Sequence, residues 1–410
     1  MSSSLRTMPT APPELHKKTL HQRSQDWLAQ DAIPLWLAQG VDWERGGFFE
    51  ALSPRGEALD GPKRSMVQAR QIYSFKTASE LQCLEKSAAH QAISHGLKFM
   101  LEFCSLPSGA FLHAVDRDGK PHHTTPDLYA QAFALFGLAQ AFSVESSSPR
   151  APALRDRAKA LVDYLQRERK ASDGGYFELK GSERFYQSNP QMHLFEAALA
   201  WMEVDSDPVW TKLADEMASL CLEKFIDRDS GVLGEHFEAG WTPVRDPVGE
   251  KNCFMFEPGH QYEWAWLLGR YQKHTGKDLS AARLRLFERS ERNGICPTRK
   301  TAFDELWSDM RCKTATSRFW PQCERIKAAV QLGSEASESE REGYYRAADE
   351  ALSALFRFLE TPKRGLWFDR CSTDFAFIDQ PAKASSLYHI IGAMNEYLAY
   401  RPARQACSGD

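Results

Sequence analysis

Residues 189–201 read NPQMHLFEAALAW, and the reading of this stretch decides the fold. Proline at position 190 suits a first helical turn, where a missing N–H costs nothing. His193 and Glu196 stand three residues apart and share one helix face. The apolar residues that follow leave almost no polar face, as in a helix buried on both flanks.

Five further segments repeat the pattern: VQARQIYSF around Arg70, DLYAQAFALFGLA around Gln131, EPGHQYEWAWLL around His260, RFWPQCERIKAAV around Glu324 and AKASSLYHIIGAM around His389. Successive anchors lie 61 to 67 residues apart, a period that suits two helices and their connections. A second series interleaves with the first: GGFFE at Gly46, SGAFLH at Gly109, GGYFE at Gly174, GVLGEHF at Gly231, NGICPT at Gly294 and GLWFD at Gly365. Glycine ends a helix or makes a tight turn, and the aromatic residues after it favour a short strand. In GGFFEALSPRGEALDG, SPRG reads as the turn of a hairpin.

Between these lie amphipathic stretches such as SPRAPALRDRAKALVDYLQRERK, whose stripe of Leu154, Ala158, Leu161, Val162 and Leu165 marks an outer helix. Each unit is therefore an outer helix, a glycine hairpin and an inner helix. Six units closed on themselves predict an all-α fold, an (α/α)6 barrel or toroid with short β-hairpins in the connections at the active-site end. An open solenoid would show polar caps and an open edge. Residues 1–18 read as a flexible tail, 19–402 as one barrel domain and 403–410 as a second tail.

The chain has 410 residues, 42% apolar and 26% charged, with a formal net charge of −4. That balance gives no support for binding nucleic acid or an anionic membrane, and no apolar run is long enough to span a bilayer. The N-terminus lacks a secretory h-region. Nine cysteines without a paired framework fit a reducing, cytoplasmic setting. Cys323 falls in the fifth anchor segment, but no His–Asn pattern supports it as a nucleophile.

The anchors bring candidate chemistry to one end of the ring. Side chains in a first helical turn point back towards the N-terminus, and the positive dipole end disfavours imidazolium there. His193 and His260 are thus expected to be neutral. The pairs His193…Glu196 and His260…Glu263 would each set an imidazole beside a carboxylate, which fixes its tautomer and raises its basicity. The same spacing is also half of a carboxylate–histidine metal site, yet neither HxH nor HExxH is present. Arg70 reads either as a buried ion-pair partner or as a donor to a substrate oxygen. Trp320 and Trp264 read as ring core or as a sugar-stacking face, and His236 as a residue that could reach the rim.

Taken together, RSMVQARQIYSF, NPQMHLFEAALAW, EPGHQYEWAWLL, RFWPQCE and Tyr388-His389 resemble the N-acylglucosamine 2-epimerase superfamily, above all its mannose isomerase branch. The resemblance implies an (α/α)6 barrel, no required metal or cofactor, and a neutral unphosphorylated sugar as the small-molecule partner. It leaves room for a homodimer. By motif, Arg70 would hold sugar oxygens near the reacting carbons, and Asn189 and His193 would bind hydroxyls, with His193 helping ring opening. His260, supported by Glu263, and His389 match the two acid–base histidines, while Trp320 and Glu324 complete the pocket. The implied reaction interconverts D-mannose and D-fructose (D-lyxose and D-xylulose as a further pair) through a cis-enediol. His260 would carry the C1–C2 proton and His389 would open the ring.

Acylglucosamine epimerases follow the last histidine with a proline–arginine pair, where this chain has Ile390-Ile391-Gly392. That points to plain hexoses, with a sugar 2-epimerase of the mannose/glucose, N-acylglucosamine or cellobiose type as the alternative. Glycoside hydrolysis would want two carboxylates across the bond. A pure sugar-binding protein would keep its function in His260→Ala.

Overall fold

The computed structural model describes residues 5–6 and 18–401. Among them, six outer helices alternate with six inner ones along the chain. The outer helices are α1 (Leu20–Asp26), α3 (Lys86–Phe99), α5 (Ala151–Glu168), α7 (Pro208–Leu220), α9 (Ser280–Gly294) and α11 (Glu338–Leu359). The inner ones are α2 (Ser65–Glu80), α4 (Leu128–Glu145), α6 (Ser188–Met202), α8 (Pro258–Thr275), α10 (Trp320–Glu335) and α12 (Leu387–Tyr400). Each inner helix packs against the next, and α12 packs back on α2. The ring is closed, as the six-fold pattern predicts.

Burial follows the two kinds of sequence. In α6 every residue from Pro190 to Trp201 is buried, whereas α5 buries only one stripe, including Leu154, Ala158, Leu161 and Leu165. The inner helices approach closely where side chains are small. A Cβ on Gly137 would stand 2.7 Å from that of Ala69 on the neighbouring inner helix.

The hairpins sit where the glycine series places them. In SPRG the Gly56 N–H donates to the Ser53 carbonyl at 2.8 Å, with Gly56 at φ +85°. A glutamine in the first turn or so of each inner helix from α2 to α10 then locks the hairpin before it. Gln68, Gln131, Gln191 and Gln261 each accept from the N–H and donate to the carbonyl of one hairpin residue: Phe48, Phe111, Tyr176 and Leu233. Gln322 accepts from Ala302 N–H in the fifth unit. A buried amide side chain thus stands in for a strand partner and satisfies backbone groups that would otherwise be orphaned.

Ring closure has its own bonds. Ala382–Lys383 pairs antiparallel with Ala51–Leu52, and Gln71 Nε2 donates to the Ala384 carbonyl at 2.6 Å. Leu5–Arg6 does not behave as free tail: it forms a short strand against Phe377–Ile378. The remainder of the expected N-terminal tail, apart from Lys18, and all of residues 403–410 lie outside the described residues. Among the described residues no helix is long and apolar enough to cross a membrane. Cys323 is fully buried and its thiol is pushed well above the usual range by that burial, which makes it inert as a nucleophile.

Candidate active site

The glutamine register fixes which residue of each inner helix faces the axis. Two positions after it come Arg70, Phe133, His193, Glu263 and Glu324, and His389 occupies the same level of α12. Two of the sequence anchors were therefore out of register. Gln131 is a hairpin lock, and the inward residue of α4 is Phe133. His260 lies three residues ahead of the inward Glu263, nearer the mouth. All six inward residues are buried.

Around them lies a cavity of about 370 Å³. Its lining includes Arg70, Asn189, His193, His260, Glu263, Trp320 and His389, seven of the eight residues expected from the sequence. Glu324 is the exception: it does not line the cavity but lies behind His389, its Oε1 2.8 Å from His389 Nδ1. The indole of Trp320 neighbours two imidazoles, with ring centroids 5.0 Å from His260 and 5.7 Å from His389. His236 is on the surface against Gln187 and stays out of the cavity.

The three histidines have three different environments. His193 Nδ1 is 3.1 Å from Glu196 Oε2, the i, i+3 pair read from the sequence. Burial holds His193 down at about 4 against that carboxylate, so it is neutral as expected. His389 is also neutral: burial lowers it well below the usual imidazole value, and the Arg70 and Lys327 cations add to the effect. With its Nδ1–H directed at Glu324, its Nε2 is left to accept.

His260 overturns two expectations. Its partner is Glu235, on the hairpin leading into α8, with Nδ1 to Oε2 at 2.9 Å, and not Glu263. Nor is it neutral. Burial opposes the charge, but the carboxylates of Glu235 and Glu257 outweigh burial and the helix dipole, and push His260 up to about 9. Glu235 is buried and also binds Ser188 Oγ and the Glu257 N–H, both at 3.1 Å. In GVLGEHF, Glu235 stands beside His236 with no local signal for its contact with His260.

Arg70 is not the buried ion-pair partner that one reading of the sequence makes it. Among the described residues no carboxylate pairs with it. It donates to the Ser385 carbonyl at 3.1 Å and Tyr129 Oη at 2.8 Å, and its Nε is buried without a partner. The guanidinium lies over Phe133 (4.1 Å) and Tyr388 (4.8 Å), which carry its charge by cation–π contact. Asn189 Oδ1 is likewise buried and unpartnered. Both residues belong to the cavity lining.

Glu263 Oε1 accepts no hydrogen bond, and burial beside the Glu324 carboxylate pushes its pKa well above the usual range, towards the protonated form. Beneath it Lys327 Nζ sits 2.5 Å from Glu324 Oε2 and 3.8 Å from the centre of the Trp266 ring. Glu196 is held at about 2: burial works against its charge, and His193, Lys327 and the Tyr388 hydroxyl prevail. Ligand atoms of His193, Glu196 and Glu263 lie within 4.8 Å of one another, as do those of Glu263, Glu324 and His389. A divalent cation could use such donors, but the Lys327 ammonium already supplies a cation to them.

The fold is that of the (α/α)6-barrel sugar isomerases and epimerases. The N-acylglucosamine 2-epimerase (GlcNAc 2-epimerase) family model matches residues 47–393, and the chain belongs to that family. It is 39% identical to a mannose-6-phosphate isomerase of Rhizobium meliloti (strain 1021), over 90% of this chain and 94% of that protein. With a D-mannose isomerase of Pseudomonas cannabina pv. alisalensis it shares 25% identity, over 83% and 86% of the two chains. A crystal structure of D-mannose isomerase superposes with a TM-score of 0.82 at 20% identity, covering 95% of this chain and all of the other, which shows the fold.

Proposed function

We propose that the protein interconverts the mannose and fructose skeletons by proton transfer through a cis-enediol, without a metal. One observation carries the reading: two imidazoles, His260 held by Glu235 and His389 by Glu324, line one cavity beside the same indole, and their surroundings push His260 towards the charged form and His389 towards the neutral one. A base must be unprotonated and an acid protonated at working pH, so the C1–C2 shuttle passes from His260, where the sequence reading puts it, to His389, and His260 serves the two oxygens. His389 Nε2 takes the C2 proton and returns it to C1. As the C2–H electron pair becomes the C1=C2 bond, His260 gives a proton to O1. When C1 is protonated, His260 recovers a proton from O2. Arg70, a cation with a free Nε, stabilises the oxygen on which negative charge grows.

Ring opening falls to His193 and Glu263. The neutral imidazole accepts the O1 proton and the protonated carboxyl donates to O5. Their atoms lie within 4.8 Å, a span that one water or the sugar hydroxyl bridges to return the proton. The two relatives share the mannose skeleton, and one bears a phosphate in its name.

A sugar 2-epimerase is the second reading, favoured by the placing of two imidazoles about one indole. It needs a base on each face of C2, and a His260 that is charged at neutral pH is a poor base. The test is incubation with D-mannose in D2O containing EDTA, followed by NMR. Fructose with partial deuteration at C1 is the expected product. Glucose as the main early product would favour the epimerase, and no turnover of mannose or its 6-phosphate would overturn both.

A further inference from the structure

The mouth of the cavity is basic along one arc. Arg64 precedes α2, Arg318 precedes α10, and Arg370 and Lys383 lie on the strands before α12; these three inner helices are neighbours in the ring. Their side chains are 33%, 23%, 47% and 51% exposed, unlike the histidines below. Carboxylates pair with three of them: Glu50 with Arg64 at 2.7 Å, Glu257 with Arg318 at 2.5 Å and Asp369 with Lys383 at 3.2 Å, the last two carboxylates in the cavity lining themselves.

Arg370 breaks this balance. It stands directly opposite Arg318 in an antiparallel strand pair, an arrangement of like charges that costs stability. The carboxylate nearest to it, Asp304 at 4.0 Å, already takes Arg318 Nε at 3.0 Å. Among the described residues the Arg370 guanidinium makes no hydrogen bond, so its donors are uncommitted. Of the ionisable groups lining the cavity, five are arginine or lysine, with Arg70 below, against three carboxyls, Glu257, Glu263 and Asp369.

We infer that this arc is a subsite for a phosphate ester at the end of the sugar remote from the reacting carbons, and that the enzyme works on hexose 6-phosphates. The inference rests on the isomerase reading above and departs from the neutral sugar that the family resemblance implies. An open-chain hexose with C1 and C2 at His260 and His389 directs C6 towards the exposed end of the cavity. There Arg370, with Arg318 and Lys383 beside it, offers charge-assisted donors to a dianion. No glycine-rich loop is required, because side chains rather than backbone amides make the cradle.

The test compares the wild-type enzyme and Arg370→Gln on D-mannose 6-phosphate and on D-mannose, with inorganic phosphate as a separate probe. The wild type should prefer the phosphate ester in kcat/KM by about tenfold or more, the worth of one or two charged hydrogen bonds. Its KM for the ester should rise with salt, because the arc is exposed. Arg370→Gln should lower the ester-to-mannose selectivity ratio about tenfold through KM, and Arg370→Lys should restore part of it. Free phosphate should compete with the ester. Turnover of mannose with equal or poorer use of the ester, or an unaltered ratio in Arg370→Gln, overturns the subsite and leaves the isomerase standing. If neither sugar is turned over, calorimetric titration decides: failure of the 6-phosphate to bind more tightly than mannose also overturns the subsite.

Discussion

His260 Nδ1 lies 2.9 Å from Glu235 Oε2, a contact between an inner-helix residue and the hairpin that leads into its helix. The same carboxylate holds Ser188 at the start of α6 and the backbone of Glu257 at the start of α8. One buried anion therefore fixes both the ring plane of His260 and the junction of two inner helices. It leaves Nε2–H as the imidazolium's free donor into the cavity.

Glu235→Gln keeps the shape and removes the charge. We expect kcat to fall about tenfold or more, within the usual range for an impaired general acid. The basic limb of the pH profile should move down from about 9, because an anion that raised His260 is gone while burial remains. Steady-state rates across pH check this. A lower kcat with an unmoved limb would make Glu235 a purely structural residue.

In the wild type the same groups predict a wide plateau. Activity needs His260 protonated, so it is lost as pH rises through about 9. It needs His389 and His193 neutral; burial lowers His389 well below 6.5 and holds His193 at about 4. No decline should therefore appear as pH falls through the ordinary imidazole range. Stability carries the His260 sign as well. Its raised folded pKa contributes stability fully below its unfolded value of 6.5, and that contribution is lost as pH rises through about 9. A kcat/KM profile and a thermal melt at each pH test both statements.

Lys327 lies among the buried carboxyls of Glu196, Glu263 and Glu324, with its own pKa raised by them against the cost of burial. Lys327→Met should destabilise the protein by about 3–5 kcal/mol, the usual cost of stranding a buried charge. Adding Glu324→Gln should recover part of the loss, because the bond at 2.5 Å then has no unpaired anion. Urea melts of the two single variants and the double one give the coupling directly.

Much of this was legible in the sequence, and the reason is periodicity. The ring, the inner and outer helices and the hairpins all follow from spacing and apolar pattern, and His193–Glu196 follows from i, i+3 geometry. What escaped was contact between distant segments. Glu235 reaches His260 across 25 residues, and Glu324 reaches His389 across 65. Neither pairing has a local signature, and a helix dipole weighed alone gave His260 the wrong charge. The register error was avoidable. VQAR, AQAF, PQMH, HQYE and PQCE share a glutamine at one place, and alignment on it sets Glu263, not His260, level with Arg70 and His193.

That glutamine supplies a further test, because Gln131 marks the second anchor segment of the repeat. In the structure it exchanges two hydrogen bonds with Phe111, at 2.7 and 2.8 Å, and does not line the cavity. Gln131→Leu would orphan a buried N–H and a buried carbonyl, at about 1–3 kcal/mol for each group. Unfolding should come at lower urea, while kcat of the folded protein stays close to wild type. Phe133→Leu should do the opposite. Its ring lies 4.4 Å from that of His193 and 4.1 Å from the Arg70 guanidinium, so the loss should fall on kcat. If Gln131→Leu instead abolished turnover with an unchanged melt, the inward register assigned to α4 would be wrong.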